Sequence, residues 1–342
     1  MKAAPRERTG HTAGVVMMKA ITQDAYGDAP EEVLRFAEVA RPAVRAGEVL
    51  VRVAAASVDR GTWHVMAGVP HVMRLAGFGV RRPKALNPGR CLAGTIEAVG
   101  AGVTDFEPGD EVFGTTEGSF AEYAVARLDR LALKPASLSF AQAAAVPISG
   151  LTALQALRDH AKVKAGQHVL VIGASGGVGT CAVQVAKAYG ADVTAVASAA
   201  KLDLVRSIGA DHVVDYSQED FAAGGQRYDV ILDIGGRSPL SRLRRALTPD
   251  GTAVLVGGMS DGRMFGGIDR QLRAQLLSLF IGQRFRSFVA SENAGDLAVI
   301  RELVDADKVA PVIDRTYDLP DVPAAIRSMM KGRVRGKLVI TM

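Results

Sequence analysis

The chain has 342 residues, 48% hydrophobic and 23% charged, with a formal net charge of +5. That length allows two domains with sizeable cores, and the composition is ordinary for a globular protein. It excludes several classes: no apolar run reaches the roughly eighteen residues of a membrane span, and the basic residues form no coherent stripe suited to nucleic acid. The two cysteines, Cys91 and Cys181, are far apart and lack metal-type spacing. The chain is therefore expected to bind neither membrane nor nucleic acid and to work in a reducing cytoplasm.

Residues 1–16 are polar and aperiodic, show no apolar core of a signal peptide, and read as a disordered tail. A second start-like sequence, Met18-Lys-Ala-Ile21, opens the first strand. Short alternating strands follow at 49–55, 94–100, 111–114 and 121–125, punctuated by Gly and Pro. Between them, residues 69–88 mix apolar and basic side chains with glycine hinges. They read as a substrate lid or as a packed surface loop. The densest basic run, Arg81-Arg-Pro-Lys84, reads as solvated.

The character then changes. Residues 169–172 are a buried strand, and Gly173-Ala-Ser-Gly-Gly-Val-Gly179 is a glycine turn opening a helix over 180–189. Glycines at this spacing let the backbone turn sharply and approach a pyrophosphate, which the helix N-terminus then meets with free N–H groups. Ala174 stands where the common GxGxxG has its first Gly, so Gly173, Ala174, Ser175, Gly176, Gly177, Val178 and Gly179 form a GxxGxxG cradle. Context strengthens the motif: strands at 192–198, 213–216, 228–234 and 252–256 alternate with a helix at 201–208. This is the pattern of a doubly wound parallel sheet, an α/β fold. Gly257, Gly258 and Met259 follow its fifth strand, at the carboxyl edge where such sheets bind ligands. Residues 272–281 are a short apolar helix, either a homodimer contact or internal packing. A helix at 293–307 and strands at 311–317 and 337–341 return to the opening character. The expected architecture is a β-rich domain from 17–138 and 291–342, interrupted by a dinucleotide-binding domain at 139–290.

Several ordered motifs carry a resemblance. They are Gly47-Glu-Val-Leu-Val-Arg-Val, Ala55-Ala-Ser-Val-Asp59, Gly94-Thr-Ile-Glu-Ala-Val-Gly100, Pro108-Gly-Asp-Glu-Val-Phe113, Gly150-Leu-Thr-Ala-Leu154, the glycine turn, Gly209-Ala-Asp-His-Val-Val214 and Arg335-Gly-Lys337. From residue 18 to 342 the chain resembles the medium-chain dehydrogenase/reductase superfamily, and within it the zinc-independent quinone oxidoreductase branch. The resemblance implies a GroES-like catalytic domain, a Rossmann domain, and an active site in the cleft between them. It places Asp59, where members usually have Asn, and Thr152 near the nicotinamide, and Lys337 near the cofactor. Asp59 also reads as a loop-capping carboxylate and Thr152 as a helix N-cap. Trp63 and Met66 follow the Asp59 loop and read as the wall of an apolar acceptor pocket or as core.

Zinc can be argued chemically. A catalytic zinc takes three protein ligands and keeps one open position. Zinc-using relatives carry Cys in the loop here occupied by Ser57-Val58-Asp59, and Gly-His-Glu where this chain has Gly89-Arg90-Cys91. Arg90 cannot ligate a metal. His64, His71 and Cys91 are the remaining set that could converge, and the expectation is no metal. Without a Lewis acid, quinones and conjugated enones suit hydride transfer better than simple aldehydes, because their reduced anions are delocalised. After the second strand of the sheet the chain offers Ser198 and Lys201, with no acid until Asp203. Ser198 and Lys201 suit a 2′-phosphate, and by resemblance Lys201 and Tyr216 bind it, so NADPH is the expected cofactor. The expected activity is NADPH-dependent reduction of a quinone or α,β-unsaturated carbonyl compound. The rivals are an alcohol or aldehyde dehydrogenase-type enzyme and a low-turnover nucleotide-binding, structural or RNA-associated protein.

Overall fold

A computed structural model describes residues 15–257 and 264–342. The expected tail, apart from its last two residues, and the positions of Gly258 and Met259 lie outside the described residues.

Two large sheets organise the chain, in an α/β architecture. The six-stranded sheet has the order His212–Asp215, Asp192–Ala197, His168–Ile172, Tyr228–Asp233, Leu247–Leu255, Arg284–Ser287, and every pairing is parallel. Its central strands are covered on both faces, which explains their near-continuous apolar runs: Val169, Leu170, Val171, Ile231 and Leu232 are fully buried. Helix Gly177–Ala188 lies on one face and packs against helix Pro147–Gln155, which in turn packs against helix Ala294–Asp305.

The seven-stranded sheet joins the two ends of the chain. Ile313–Asp318 pairs in parallel with Lys337–Thr341, which pairs antiparallel with the long strand Glu48–Val58. Cys91–Val99, Glu111–Thr115 and Leu131–Leu133 continue it, and Tyr123–Arg127 pairs with the other half of Glu48–Val58. A separate ribbon pairs Met17–Gln23 with Leu34–Ala40.

The two sheets are laced together at definite points. The Gly336 N–H donates to Ser175 O at 2.8 Å, so the loop before the C-terminal strand sits on the glycine turn. On the other side, Gln155 at the end of its helix donates to Ser291 O and Asp296 Oδ2, at 2.8 and 2.7 Å. It also accepts from Ser291 N at 2.8 Å.

Some expectations shift. The apolar helix expected at 272–281 runs instead over Ile268–Leu277, and Leu272 and Leu276 on it are exposed. Gly267, at a φ of +89°, caps its start, and the polar Asp269 and Arg270 complete its first turn. Strands Leu34–Ala40 and Arg284–Ser287 were not expected; both alternate apolar with charged residues over a few positions, a weak signal. In residues 69–88 the chain forms a single π-helical turn, Arg74–Phe78. The Tyr26 hydroxyl donates to Phe78 O and Gly79 O, at 2.6 and 2.8 Å, and the Arg74 guanidinium lies 4.3 Å above the Tyr26 ring. Val72 N reaches Met264 O at 3.3 Å, so this segment touches the loop beyond the fifth strand of the parallel sheet. Among the described residues no helix is long and apolar enough to cross a membrane.

Candidate functional site

The glycine turn has the form the sequence predicts. Gly173 takes a φ of +87°, and its N–H and that of Ala174 both donate to Val196 O. This bends the chain out of the sheet so that the helix from Gly177 points its first N–H groups at the carboxyl edge. Gly179 packs the helix onto the turn: a Cβ there would stand 2.2 Å from Gly173 O. Ala174 is fully buried, Ser175 nearly so, and Val178 packs against the core.

Lys337 lies across this helix start. A Cβ on Gly177 would come within 2.7 Å of Lys337 Cδ and 2.9 Å of Ser149 Oγ, so glycine makes room for the lysine stem. Lys337 is 4% exposed, and its Nζ has no hydrogen-bond partner among the described residues. A buried cation without a partner is costly. A diphosphate against the helix N-terminus is the anion that fits, so these residues suit a dinucleotide.

A second cationic group gathers beyond the strand Asp192–Ala197. Ser198 caps the short turn Ala199–Lys201 through its backbone. Lys201 Nζ donates to Val334 O at 2.8 Å and more weakly to Gly332 O at 3.4 Å. It is therefore neither a free solvated lysine nor paired with an acid. Arg335 Nη2 donates to Ala200 O at 2.6 Å. Burial and then Arg335 hold the Lys201 amine below its usual range. Tyr216 follows the next strand; its N–H donates to Ala197 O and its ring is exposed. The structure thus brings Ser198, Lys201 and Tyr216 to one edge and adds Arg335, the first residue of the Arg335-Gly-Lys337 motif.

The opposite wall is built on Asp59. It caps helix Arg60–Ala67 in a capping box: its Oδ1 accepts from Thr62 N at 3.1 Å, and Asp59 N contacts Thr62 Oγ1 at 3.5 Å. Its other oxygen lies 3.7 Å from Cys91 Sγ, which donates to it. Cys91 pairs in register with Ser57, and burial pushes its thiol up to about 11 against the opposing pull of Lys337. Burial also pushes the Cys181 thiol up to about 11. Both thiols are free.

Thr152 is not an N-cap. It lies inside helix Pro147–Gln155, and its hydroxyl donates to Ile148 O at 2.6 Å. Met66, expected with Trp63 to wall an acceptor pocket, is fully buried in the core with Ile21, Leu34 and Ile326. It is core because it falls on the inward face of its helix. Trp63 packs against the same cluster from outside, beneath the Arg60 guanidinium at 5.5 Å, with its indole nitrogen buried and unpaired among the described residues. His64 Nδ1 contacts Val69 O at 2.8 Å, and burial holds its ring below the usual histidine range. Among the described residues no three His, Cys, Asp or Glu side chains gather to hold a metal ion.

One element of the site was not foreseen. Asp233 ends the strand Tyr228–Asp233 and is fully buried. It pairs with Arg270 Nη2 at 2.5 Å and accepts from Gly236 N at 3.1 Å. Arg270 also donates to Ser238 O at 2.6 Å. This network holds the loop 234–238 beside the glycine turn, since a Cβ on Gly173 would meet Gly235 N at 3.2 Å. Gly257 closes the same edge: its N–H donates to Asp233 O, and a Cβ there would stand 2.1 Å from Ile234 O.

Comparison with known proteins agrees with this geometry. A family model described as the alcohol dehydrogenase GroES-like domain matches residues 45–136, and one described as zinc-binding dehydrogenase matches residues 208–340. The chain is 34% identical to the mitochondrial NAD(P)H oxidoreductase RTN4IP1 of Mus musculus, over 96% of this chain and 90% of that protein. Among solved structures it is similar to the quinone oxidoreductase from Coxiella burnetii, with a TM-score of 0.81 and 29% identity over 96% of this chain and 100% of that one. It is also similar to CurK enoyl reductase, with a TM-score of 0.81 and 25% identity over 95% of this chain and 99% of that one. The chain belongs to the medium-chain dehydrogenase/reductase superfamily of oxidoreductases. Its two sheets are the GroES-like and Rossmann portions of that fold.

Proposed function

We propose that the protein is a zinc-independent oxidoreductase that uses NADPH to reduce a quinone or an α,β-unsaturated carbonyl compound. The observation that carries this reading is the pair of cationic groups facing one cofactor groove: buried Lys337 at the glycine turn, and Lys201 with Arg335 at the end of the second strand of the parallel sheet. When bound, the nicotinamide supplies a hydride to the acceptor. The helix N-terminus and Lys337 hold the diphosphate. Ser198, Lys201, Tyr216 and Arg335 surround the 2′-phosphate. Asp59 and Thr152 stand at the nicotinamide end, where orienting the ring against an acceptor is the main contribution required of the protein.

The choice of NADPH rests on like charges brought together. Two cations side by side repel each other, and a phosphate dianion between them relieves that repulsion. The Lys201 ammonium has three protons and two carbonyl partners, so one proton is left for a ligand. Lys201→Ala is expected to weaken NADPH binding about tenfold or more, in line with a charge-assisted hydrogen bond, and to leave NADH binding nearly unchanged. Titration of each nucleotide by Trp63 fluorescence checks this. Equal losses for both would refute the 2′-phosphate role.

Zinc independence rests on Arg90, which offers no lone pair where zinc-using relatives carry histidine. The kinship to proteins called quinone oxidoreductase and enoyl reductase supports the acceptor class. We also read the exposed Leu272, Leu276, Leu279 and Phe280 as a homodimer contact, and the two free thiols as fitting a reducing cytoplasm. The test is consumption of NADPH and NADH with a benzoquinone, a conjugated enone and a simple aldehyde, each with and without a chelator. Chelator-insensitive NADPH oxidation with quinone or enone is expected. Activity confined to the aldehyde and abolished by the chelator would overturn the reading.

A further inference from the structure

One charged group in the gap between the sheets is left without a task by this account. Arg90 immediately precedes the strand Cys91–Val99, next to the thiol that contacts Asp59. Its Cδ lies beside Gly61, in the first turn of the helix that Asp59 caps, 4.0 Å from where a Cβ would stand. From there the guanidinium reaches across to Glu292, just past the last strand of the parallel sheet, and Nη2 donates to that carboxylate. Arg130 Nη1 reaches the other oxygen of the same carboxylate at 3.5 Å. Glu292 follows Ser291, which is bonded to Gln155, on the helix that carries Thr152. Arg90 therefore stands beside the Asp59 corner, and its partner Glu292 is tied through Ser291 to Gln155, about one helical turn from Thr152.

Two features separate this group from a simple tie between domains. Two guanidinium groups share one carboxylate, which leaves one positive charge uncompensated within the cluster. In addition, Arg90 Nε is buried and has no acceptor among the described residues, although the side chain as a whole is 31% exposed. One edge of the guanidinium is thus held by Glu292, while Nη1, which has no hydrogen-bond partner among the described residues, belongs to the part of the side chain that is not buried.

We propose that Arg90 receives the carbonyl oxygen of the acceptor, and that Glu292 positions it; this rests on the reductase reading above. A bound reduced nicotinamide would supply the hydride that the conjugated acceptor takes up. The electron pair displaced from the π system collects on the carbonyl oxygen, giving a phenolate or enolate. The Arg90 Nη1–H donates to that oxygen. A proton from water then completes the hydroquinone or the saturated ketone. Arg90 stays protonated throughout, so it acts as a fixed charge and donor rather than as an acid. It supplies at this corner the positive charge that a Lewis acid supplies elsewhere. The acceptors selected are those whose reduction gathers charge on one accessible oxygen.

The experiment titrates the protein, saturated with NADP⁺, with 4-nitrophenol, whose anion stands in for the product phenolate and is followed by its absorbance. The wild type is expected to bind the phenolate and lower its apparent pKa. Arg90→Gln is expected to weaken that binding at least tenfold, remove the shift, and lower kcat about 100-fold, the scale for losing one oxyanion donor. Arg90→Lys should restore part of both, and NADP⁺ affinity should hold in each variant. Glu292→Gln gives the discriminating sign. It keeps a carbonyl acceptor but removes the negative charge, so the phenolate should bind as well as or better than in the wild type. A merely structural tie predicts weaker binding there, together with parallel losses in Tm and NADP⁺ affinity. The proposal is overturned by that outcome, by a wild type that binds only neutral nitrophenol, or by Arg90→Gln with unchanged phenolate binding and kcat. Should the wild type reduce no quinone or enone with either nucleotide, the functional reading itself fails; should it do so and Arg90→Gln match it, only the role of Arg90 fails.

Discussion

Replacing Gly179 with alanine is expected to lower the melting temperature of the cofactor-free protein by about 5 °C or more and to abolish nicotinamide nucleotide binding. The added Cβ would stand 2.2 Å from Gly173 O and 2.7 Å from Ala174 Cα, and both are backbone atoms. No rotamer change relieves such a contact. The helix must lift away from the turn, at an overpacking cost of about 1–3 kcal/mol, and its N–H groups then miss the phosphates. Gly176 gives the contrast. A Cβ there meets only Gly173 O, at 3.6 Å, and its φ of −87° suits any residue. Gly176→Ala should therefore leave the cofactor-free melting temperature nearly unchanged yet weaken nucleotide binding, because the space it fills is the ligand's. Thermal unfolding with and without NADPH separates the two. Equal melting temperatures for Gly179→Ala and wild type would contradict the packing argument, and undiminished binding by Gly176→Ala would place the diphosphate elsewhere.

Breaking the buried pair of Asp233 and Arg270 should be the most damaging change outside the turn. Arg270→Met leaves a fully buried carboxylate with only the Gly236 N–H, and removing one partner of such a pair costs about 3–5 kcal/mol. The pH dependence is specific. Burial already holds the Asp233 carboxyl above its ordinary range, against the opposing pull of Arg270. A carboxyl whose folded pKa lies above its unfolded value loses stability as pH rises from the unfolded value through the folded one. Removing Arg270 raises the folded value further, so the penalty grows toward neutrality and fades once the carboxyl is protonated in both states. Denaturant unfolding at about pH 8 and about pH 4 should therefore show a gap between variant and wild type that narrows in acid. A gap of equal size at both would mean that lost packing of the Arg270 stem, rather than the unpaired charge, sets the cost.

What could be read from the sequence follows the range of the interactions. The glycine turn and its flanking strand and helix were legible because their signals lie within some twenty consecutive residues and repeat at helix or strand period. Lys201 was reached by its place after the second strand together with the family resemblance, and Tyr216 by the resemblance alone. Asp233 and Arg270 were not, because an aspartate ending an apolar strand and an arginine in a charged helix turn are unremarkable until the fold pairs them. Arg335 and Lys201 meet only because the C-terminal loop crosses to the other sheet. Leu272 pointed to a helix, but the start was displaced because the polar first turn of Ile268–Leu277 carries no apolar period. Asp59 shows a different limit. The capping that the sequence allowed occupies one oxygen, while the contact of the other with Cys91 joins residues 32 apart and has no local signal.

The crossing of residues 332–337 onto the glycine turn has a consequence for biosynthesis. A ribosome makes the turn, the sheet around it and most of the catalytic strands long before it reaches Arg335, Gly336 and Lys337. Until that last stretch emerges, Ser175 O lacks its N–H donor, Lys201 lacks the carbonyls it rests on, and no ammonium faces the helix start. The nascent chain can collapse around its apolar strands, but it cannot hold the dinucleotide. Cofactor capture is thereby deferred until residues 332–337 have been made, and a chain stalled or cut short upstream of them would remain without the ligand-linked stabilisation that shields the folded protein from proteolysis.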